Sequence, residues 1–244
     1  MAYDQNRNRR KQFRPNIVFF DLETTGFDRP IRPVQIGAVD SWGQECFNEF
    51  VWPRRHVHPK ATLTNNFYAC TQTEKLYRHD EELETLDLEE GLEAFIEWLQ
   101  SLGGNVILVA HKCLDFDAKV LLRNLEEFGI EYSDTILGFS DSLLASRQLY
   151  TQAISHRLSA MLYEVGLPVR ESHDAMEDAE DCRRICRRMA AQCGFRWVES
   201  LSSCHHVTTV TFFFRFLDFI LDVNWYHDVN QQWDWTFPYG YVTV

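Results

Sequence analysis

The chain has 244 residues, of which 45% are apolar, so it can bury one full hydrophobic core and is short for two complete domains. Its 24 basic and 36 acidic residues give a formal net charge of -12, which argues against a protein that coats duplex nucleic acid through many phosphate contacts. The charge does not exclude a site at which bound cations offset the acidity locally.

The cysteines and the N-terminus indicate the compartment. Seven cysteines, an odd number without a framework spacing, are typical of reduced thiols in an intracellular protein, cytoplasmic or nuclear. Residues 1–14 are basic and contain no apolar segment, so no secretory signal is predicted. We interpret this tail as solvated chain, with a nuclear-targeting or nucleic-acid-binding arm as the alternative.

The first predicted elements are three strands and a helix. The short apolar run 17–20 predicts a strand that is covered on both faces. Residues 34–39 and 46–51 predict two further strands, which complete an antiparallel meander. Apolar residues at helical spacing within 87–102 predict a helix that ends at a pair of glycines.

Strands and helices alternate in the second half. Residues 106–110 predict a strand, and helical spacing returns within 116–128. Shorter apolar segments follow at 143–149 and 158–165, and a last strong helix is predicted for 174–192. Antiparallel strands followed by βα units predict an α/β fold with a mixed sheet and helices on both faces.

The C-terminal residues 196–244 differ in composition from the preceding domain, 15–195. Twelve of the chain's 34 aromatic residues lie between Phe212 and Tyr241. Apolar residues from Phe212 to Val223 fall on one helical face, which favours docking onto the domain, with a homodimer, another partner or a membrane surface as alternatives. The stretch is too short and too charged for a transmembrane span. The role of this extension is not assigned.

Two carboxylates close the first predicted strand. Asp21 and Glu23 share one face of the strand, because side chains at i and i+2 point the same way. Adjacent carboxylates repel each other unless a cation lies between them, and Mg²⁺ or Mn²⁺ are natural ions for oxygen ligands. A solvated strand end is the alternative. Thr24 and Thr25 offer hydroxyl and backbone N–H groups to a phosphate or 3′ hydroxyl, or form a plain turn.

A second cluster follows the strand 106–110. His111, Asp115 and Asp117 lie beyond its carboxyl end, where open α/β sheets place their ligands. The alternative is that one of the aspartates caps the helix that begins near residue 116. Further along, Asp141 is best interpreted as another helix cap.

A third cluster opens the last helix. Asp174 and Glu177 have the spacing of a capping box, so the helix starts at Asp174 and His173 lies just outside it. A neutral imidazole can take a proton from water, and Asp178 on the first turn can complete the ligands of a metal ion. A surface histidine at a helix start is the alternative.

In this order, Phe20–Gly26, Val109–His111 with Phe116–Asp117, and His173–Asp178 resemble the three motifs of the DnaQ-like DEDDh 3′→5′ exonuclease superfamily. The resemblance covers roughly residues 15–195. Within the superfamily, the sequence resembles proofreading and three-prime repair exonucleases. It implies a ribonuclease H-like fold and hydrolysis of phosphodiester bonds at the 3′ end of a nucleic acid.

The resemblance also implies roles for individual residues. Asp21, Glu23, Asp117 and Asp178 would hold two Mg²⁺ or Mn²⁺ ions, and His173 would be the general base. The residues assigned to the substrate are Leu22, Thr24, Thr25 and His111.

The sequence departs from the family pattern in the second motif. The family usually has asparagine after the motif's histidine, where this chain has Lys112, which puts a substrate or backbone contact in doubt. An extra residue also makes Asp115 a rival of Asp117 as the ligand. Asp117 is preferred because it follows Phe116, as in the family's Phe-Asp pair.

Two questions about function stay open at this point. In the pair Thr24 and Thr25 the chain resembles DNA-processing rather than RNA-trimming relatives, which implies DNA, expected to be single-stranded, as substrate, with RNA as the alternative. The second hypothesis is a catalytically inactive module that keeps the fold to bind nucleic acid or protein. The presence of every expected ionisable group favours the enzyme.

Overall fold

A computed structural model describes residues 15–170, 173–193, 200–203 and 211–212. The predicted tail 1–14 lies outside them. The predicted helical face from Phe212 to Val223 also lies outside them, except for Phe212, which falls in a short strand.

A mixed sheet of eight strands forms the centre of the fold, beside a second sheet of three. In chain order the strands are β1 (Asn16–Thr24), β2 (Pro33–Asp40), β3 (Cys46–Trp52), β4 (Phe67–Cys70), β5 (Lys75–Arg78), β6 (Glu81–Glu82), β7 (Leu86–Asp87), β8 (Val106–Ala110), β9 (Ile136–Asp141), β10 (Ser200–Ser203) and β11 (Thr211–Phe212). The large sheet has the order β11-β10-β9-β8-β1-β2-β3-β7, and the small sheet has the order β4-β5-β6.

The pairing directions confirm the predicted mixed sheet. β1, β2 and β3 pair antiparallel, as the meander predicted. β8 runs parallel to β1, and β9 runs parallel to β8. The carboxyl ends of β1, β8 and β9 therefore lie at one edge of the sheet, which is where open α/β sheets place their sites.

Helices cover both faces of the large sheet. They are α1 (Pro59–Asn65), α2 (Leu88–Ser101), α3 (Asp117–Phe128), α4 (Ser142–Leu149), α5 (Leu158–Glu164) and α6 (Ala175–Cys193). Apolar residues of α2 and α3 pack with one face of the sheet in a first core, and those of α4, α5 and α6 pack with the other face in a second core. The predicted helices on both faces are confirmed.

Strand alternation in β1 decides which way its carboxylates point. Phe20 and Leu22 belong to the first core, whereas Phe19 belongs to the second core beside α6. Because side chains alternate along a strand, Asp21 and Glu23 project to the same side as Phe19. Both carboxylates thus face the helix that carries the third motif.

The segment 53–85 folds into elements that were not predicted from the amino-acid sequence. It contains α1 and the small sheet, which pack around a third core. The buried residues of this core are Val34, Trp52, Val57, Phe67, Ala69 and Leu76. β9 was not predicted either.

Residues 200–203 of the predicted C-terminal extension join the large sheet as β10. β10 pairs antiparallel with β9, with Ser202 opposite Phe139. Among the described residues, no helix is long and apolar enough to cross a membrane. Within this part of the chain, Cys46, Cys70, Cys113, Cys182 and Cys186 form no disulfide bond.

Candidate active site

Residues of the first and third motifs meet at the end of β1. A carboxylate oxygen of Glu23, a ring nitrogen of His173 and a carboxylate oxygen of Asp178 all lie within 4.8 Å of one another. A Mg²⁺ ion with ligands at about 2.1 Å draws its donors to within roughly 4 Å of each other, so small side-chain rotations would suffice to share one. Carboxylate oxygens suit Mg²⁺ or Mn²⁺, whereas imidazole is a better ligand for transition metals such as Zn²⁺, so the carboxylates are the candidate ligands and His173 is left for another role.

Asp21 and Asp117 complete an acidic cluster with Glu23 and Asp178. Burial raises the pKa of Asp21 well above its ordinary value, and the charges of Asp117, Asp178 and Glu23 raise it further. Burial also raises the pKa of Asp178 to about 8, with the charge of Glu23 as the next cause. The unliganded protein therefore tolerates this much negative charge poorly, as expected of a cluster that binds cations.

The pKa values of the other two carboxyl groups, Glu23 and Asp117, are raised as well. Burial raises the pKa of Glu23 to about 7, although a hydrogen bond from Asn65 opposes the change. Burial likewise raises the pKa of Asp117 to about 7, against hydrogen bonds from the backbone of Asp117 and Leu22. All four carboxyl groups thus share one electrostatic environment.

The position of Asp117 distinguishes it from Asp115, the alternative metal ligand of the second motif. Asp117 is the first residue of α3 and is only 4% exposed, whereas Asp115 lies exposed in the preceding turn. Phe116 occupies the cap position of α3, and no side chain caps this helix, so neither aspartate acts as the cap. These positions favour Asp117 as the ligand.

Asp141 organises the turn that delivers Asp117. Its carboxylate accepts hydrogen bonds from the backbone N–H groups of Lys112 and Leu114, at 3.1 and 3.2 Å. It also caps α4 by accepting from the backbone of Leu143 at 2.9 Å. The cap predicted at Asp141 is therefore confirmed, and the same side chain holds the loop after β8.

The start of α6 agrees with the predicted helix cap. Asp174 accepts hydrogen bonds from the backbone N–H groups of Met176 and Glu177, both at 3.1 Å. α6 begins at Ala175, so His173 lies just outside the helix, and its side chain is exposed. Asp178 is fixed on the first turn.

A cleft of about 490 Å³ opens beside Glu23. Its lining residues include Leu22, Thr24, Phe27, Lys60, Asn65 and Phe116. Phe27 is 82% exposed, and its ring lies in an edge-to-face arrangement with that of Phe116 at a centroid distance of 5.5 Å. Two aromatic rings, a lysine and the carboxylate of Glu23 thus surround one opening.

Thr25 and His111 are engaged inside the protein. Thr25 is 2% exposed, and its hydroxyl oxygen accepts from the backbone of Arg32 at 3.1 Å, which matches the plain-turn alternative. One ring nitrogen of His111 lies 2.8 Å from the Ser142 hydroxyl, and the other lies 2.7 Å from the carbonyl oxygen of His156. These contacts leave no ring nitrogen of His111 for a substrate, so the substrate contact predicted there is not supported.

The protonation of His111 is consistent with this internal role. Burial lowers the pKa of its ring to about 4, so the ring is neutral near pH 7. The carbonyl oxygen of His156 requires a donor, and the neutral ring then accepts from Ser142. His111 links β8 to α4 and the loop after it.

Asn65 and Arg78 contact the site without having been predicted from the sequence. Asn65 donates to a carboxylate oxygen of Glu23 at 3.0 Å, and Arg78 donates to Asp174 at 2.6 Å. These partners lie 42 and 96 residues apart along the chain, so no local motif could have marked them.

Comparison with known proteins identifies the family. Residues 18–185 match the family model RNase_T, described as Exonuclease. The chain belongs to this exonuclease family. The predicted DnaQ-like DEDDh 3′→5′ exonuclease superfamily and the predicted enzyme class, a hydrolase of phosphodiester bonds, are thereby confirmed at the level of the family.

Two curated relatives are bacterial polymerases. The PolC-type DNA polymerase III of Clostridium perfringens is 26% identical over 185 residues, which cover 72% of this chain and 11% of that protein. That of Caldanaerobacter subterraneus is 25% identical over 192 residues, with coverages of 78% and 13%. The chain thus matches only a small part of the length of these relatives.

Solved structures of Exonuclease I share the fold. Exonuclease I from E. coli in complex with a dT13 oligonucleotide superposes with a TM-score of 0.56 at 17% identity, over 74% of this chain and 42% of that one. The enzyme from Methylocaldum szegediense gives 0.57 at 20% identity, with coverages of 73% and 41%. The predicted ribonuclease H-like α/β fold is confirmed.

Proposed function

We propose that this chain is a 3′→5′ exonuclease that removes nucleotides one at a time from single-stranded DNA with two divalent cations. The observation that carries the proposal is the single acidic cluster of Asp21, Glu23, Asp117 and Asp178, with His173 at its edge. Buried carboxylates that raise each other's pKa at the carboxyl edge of a sheet are typical of a catalytic metal site.

The four carboxylates would hold two Mg²⁺ or Mn²⁺ ions. When bound, such ions supply Lewis acidity that activates water and stabilises charge on the attacking and leaving oxygens. Glu23 and Asp178 offer oxygens within reach of one ion, and Asp21 lies in electrostatic contact with the other three carboxylates.

His173 is assigned the role of general base. A neutral ring nitrogen takes a proton from water as the water oxygen bonds to phosphorus, and the bond from phosphorus to the 3′ oxygen breaks. The leaving oxygen takes up a proton, which gives a 5′-mononucleotide and a strand shorter by one residue. The exposed position of His173 just before α6 suits this role.

The cleft beside Glu23 would receive the terminal nucleotide. Leu22, Phe27 and Phe116 offer apolar and aromatic surface to a base, and Lys60 offers a cation to a phosphate. Stacking on an aromatic ring stabilises each base by about 1–3 kcal/mol and is tolerant of sequence. Similarity to Exonuclease I in complex with oligonucleotides and to DNA polymerases supports DNA over RNA.

The direct test is stepwise shortening of a 5′-labelled single strand, which reports the release of mononucleotides from its 3′ end, with Mg²⁺, Mn²⁺ or EDTA. We expect activity with either metal, none with EDTA, and a loss of at least about a thousandfold in Asp21→Ala and Asp117→Ala. Asp115→Ala is the matched control, because this exposed aspartate lies in the same turn and should be dispensable. RNA and DNA strands of the same sequence are compared in parallel.

Two outcomes would contradict the proposal. Equal activity in wild type and Asp21→Ala would exclude this site, and no activity with any strand or either metal would favour the inactive binding module. Loss of activity in Asp115→Ala but not in Asp117→Ala would instead exchange the ligand assignment of the second motif.

A further inference from the structure

Arg78 connects the small sheet to the start of α6. One terminal nitrogen of its guanidinium donates to a carboxylate oxygen of Asp174 at 2.6 Å, and the other donates to the backbone carbonyl oxygen of His173 at 2.8 Å. A single side chain from β5 therefore holds two consecutive residues of the turn that presents the proposed general base.

The guanidinium is itself held in place. Its central carbon lies 5.0 Å from the ring centroid of Phe67, which is fully buried in the third core. Phe67 is also the partner of Arg78 in the pairing of β4 with β5. The side chain of Arg78 is only 19% exposed. A planar cation stacked on a buried ring has little freedom, so its two donors point in fixed directions.

Asp174, which accepts the hydrogen bond from Arg78, is also held in place. One of its oxygens caps α6, and the other accepts from both Arg78 and the side chain of Gln35, the latter at 3.1 Å. The side-chain oxygen of Gln35 in turn accepts from the backbone of Ala175 at 3.1 Å. The start of α6 is thus tied to β2 and to the small sheet. The exposed imidazole of His173 extends from this tied backbone.

We propose that Arg78 is a positioning residue of the exonuclease site, which fixes the backbone of His173 so that the imidazole reaches the attacking water. The inference rests on the proposed function, because it requires His173 to be the general base. An exposed side chain just outside a helix otherwise samples several orientations, and a displacement of about 1 Å can lower a rate about a hundredfold. Arg78 does not touch the substrate in this role.

Charge and geometry can be separated at this position. The charge of Arg78 offsets that of Asp174. Asp174 lies close enough to Glu23 for its negative charge to raise the pKa of Glu23. Arg78→Lys keeps a positive charge, but a single ammonium group cannot reproduce the fork that reaches two acceptors. The lysine variant therefore tests whether holding the carbonyl oxygen of His173 matters beyond neutralising Asp174.

The test is steady-state hydrolysis of a 5′-labelled oligo-dT with saturating Mn²⁺ by wild type, Arg78→Ala, Arg78→Lys, His173→Ala and the double alanine variant. We expect Arg78→Ala to lower kcat about 10- to 100-fold and to change KM less than about threefold. Arg78→Lys should lose about 3- to 10-fold. In the His173→Ala background, Arg78→Ala should cost less than about threefold, because its effect passes through the imidazole.

Arg54 is the matched control. It also donates to an aspartate, Asp87, and lies over the ring of a phenylalanine, Phe128, at 5.0 Å, but within the described part of the chain none of its contacts is with a motif residue. Arg54→Ala should therefore keep the wild-type kcat. Unfolding in urea shows whether each variant is folded at the assay temperature, and Arg78→Lys carries the test if the alanine variant is not.

The outcomes that overturn the inference differ from those that overturn the function. Wild-type kcat in Arg78→Ala and Arg78→Lys, with His173→Ala inactive, would remove the role of Arg78 and leave the exonuclease intact. Losses that multiply in the double variant would show that Arg78 acts independently of His173. An inactive wild type, or a fully active His173→Ala, would refute the proposed function first, and the role of Arg78 would fall with it.

Discussion

Gly37 of β2 lies opposite Asp21 of β1 in the antiparallel ladder. The first turn of α6 passes directly over this position, so that a Cβ atom on residue 37 would lie 2.3 Å from the backbone of Ala175 and Met176. The absence of a side chain at this position lets the turn that carries Asp178 approach the strand that carries Asp21. The acidic cluster therefore depends on a residue that contributes no functional group.

Gly37→Ala should damage the site through this contact. The added methyl group must push the start of α6 away, at a cost of about 1–3 kcal/mol in the free energy of unfolding. We also expect nuclease activity to fall more than about tenfold, because Asp178 moves away from Asp21. Urea unfolding and the mononucleotide-release assay measure the two effects.

Gly129→Ala is the control for this prediction. Gly129 has a φ of +67°, and a Cβ atom there would meet nothing within 4 Å. Its replacement should cost about 1 kcal/mol of stability through the backbone alone and leave activity unchanged. A stable and fully active Gly37→Ala would show that α6 can shift without consequence for the site.

Asn65→Ala should weaken metal binding. Asn65 is 3% exposed, donates to Glu23 at 3.0 Å and accepts from the backbone of Phe67 at 3.2 Å. Its loss leaves both partners buried without this contact, at a cost of about 1–3 kcal/mol of stability. Loss of a group that orients a ligand typically lowers metal affinity about 10- to 100-fold. Calorimetric titration with Mn²⁺ measures the affinity.

Asn124→Ala separates stability from metal binding. Asn124 is also buried, at 1% exposure, but it bonds to Arg32 and to the backbone of Ile31 and Val120. This variant should lose comparable stability and keep the wild-type Mn²⁺ affinity. Equal affinities in Asn65→Ala and Asn124→Ala would mean that Asn65 serves only the fold.

The sequence was informative about this fold where each element carried its own pattern. The apolar run before Asp21 and the helix cap at Asp174 are local signals, and both correspond to elements of the structure. α1 and the small sheet are short, and their core is assembled from distant segments such as Val34 and Leu76. Local spacing contains no such information.

The candidate site likewise combines residues that local motifs indicate with residues that they do not. Acidic residues in motifs could be named from the sequence, because their residue types and spacing reflect metal chemistry. The contacts of Asn65 and Arg78 depend on where the segment 53–85 folds, which the motifs do not encode. His111 is the opposite case, because a motif indicated it as a substrate contact, yet both of its ring nitrogens form hydrogen bonds inside the protein.

Lys112 should be replaceable with a gain in stability. It has a φ of +70°, a left-handed conformation that disfavours lysine and that asparagine tolerates better. Its backbone N–H donates to Asp141, a contact that does not depend on the side chain at this position. Lys112→Asn should raise the free energy of unfolding by up to about 1 kcal/mol in urea. A less stable variant would show that the lysine side chain makes a compensating contact.

The acidic cluster should make the metal-free protein less stable as the pH rises. Burial raises the pKa of Glu23 and Asp117 to about 7 and that of Asp178 to about 8, whereas the unfolded chain titrates near its ordinary values of about 4. The folded state therefore binds more protons than the unfolded state between about pH 4 and pH 8. Stability that is present below this window is lost as the pH rises through it.

Thermal unfolding in EDTA and in Mg²⁺ or Mn²⁺ tests the predicted direction in which stability changes with pH. In EDTA, Tm should fall between about pH 5 and pH 8. The increase in Tm produced by metal should grow over the same range, because the cations compete with protons for the same oxygens. Asp178→Asn removes one titrating ligand, so it should flatten the slope in EDTA and reduce the increase with metal. A Tm that rises with pH in EDTA, or a metal effect independent of pH, would show that these carboxyl groups do not titrate together as one cation site.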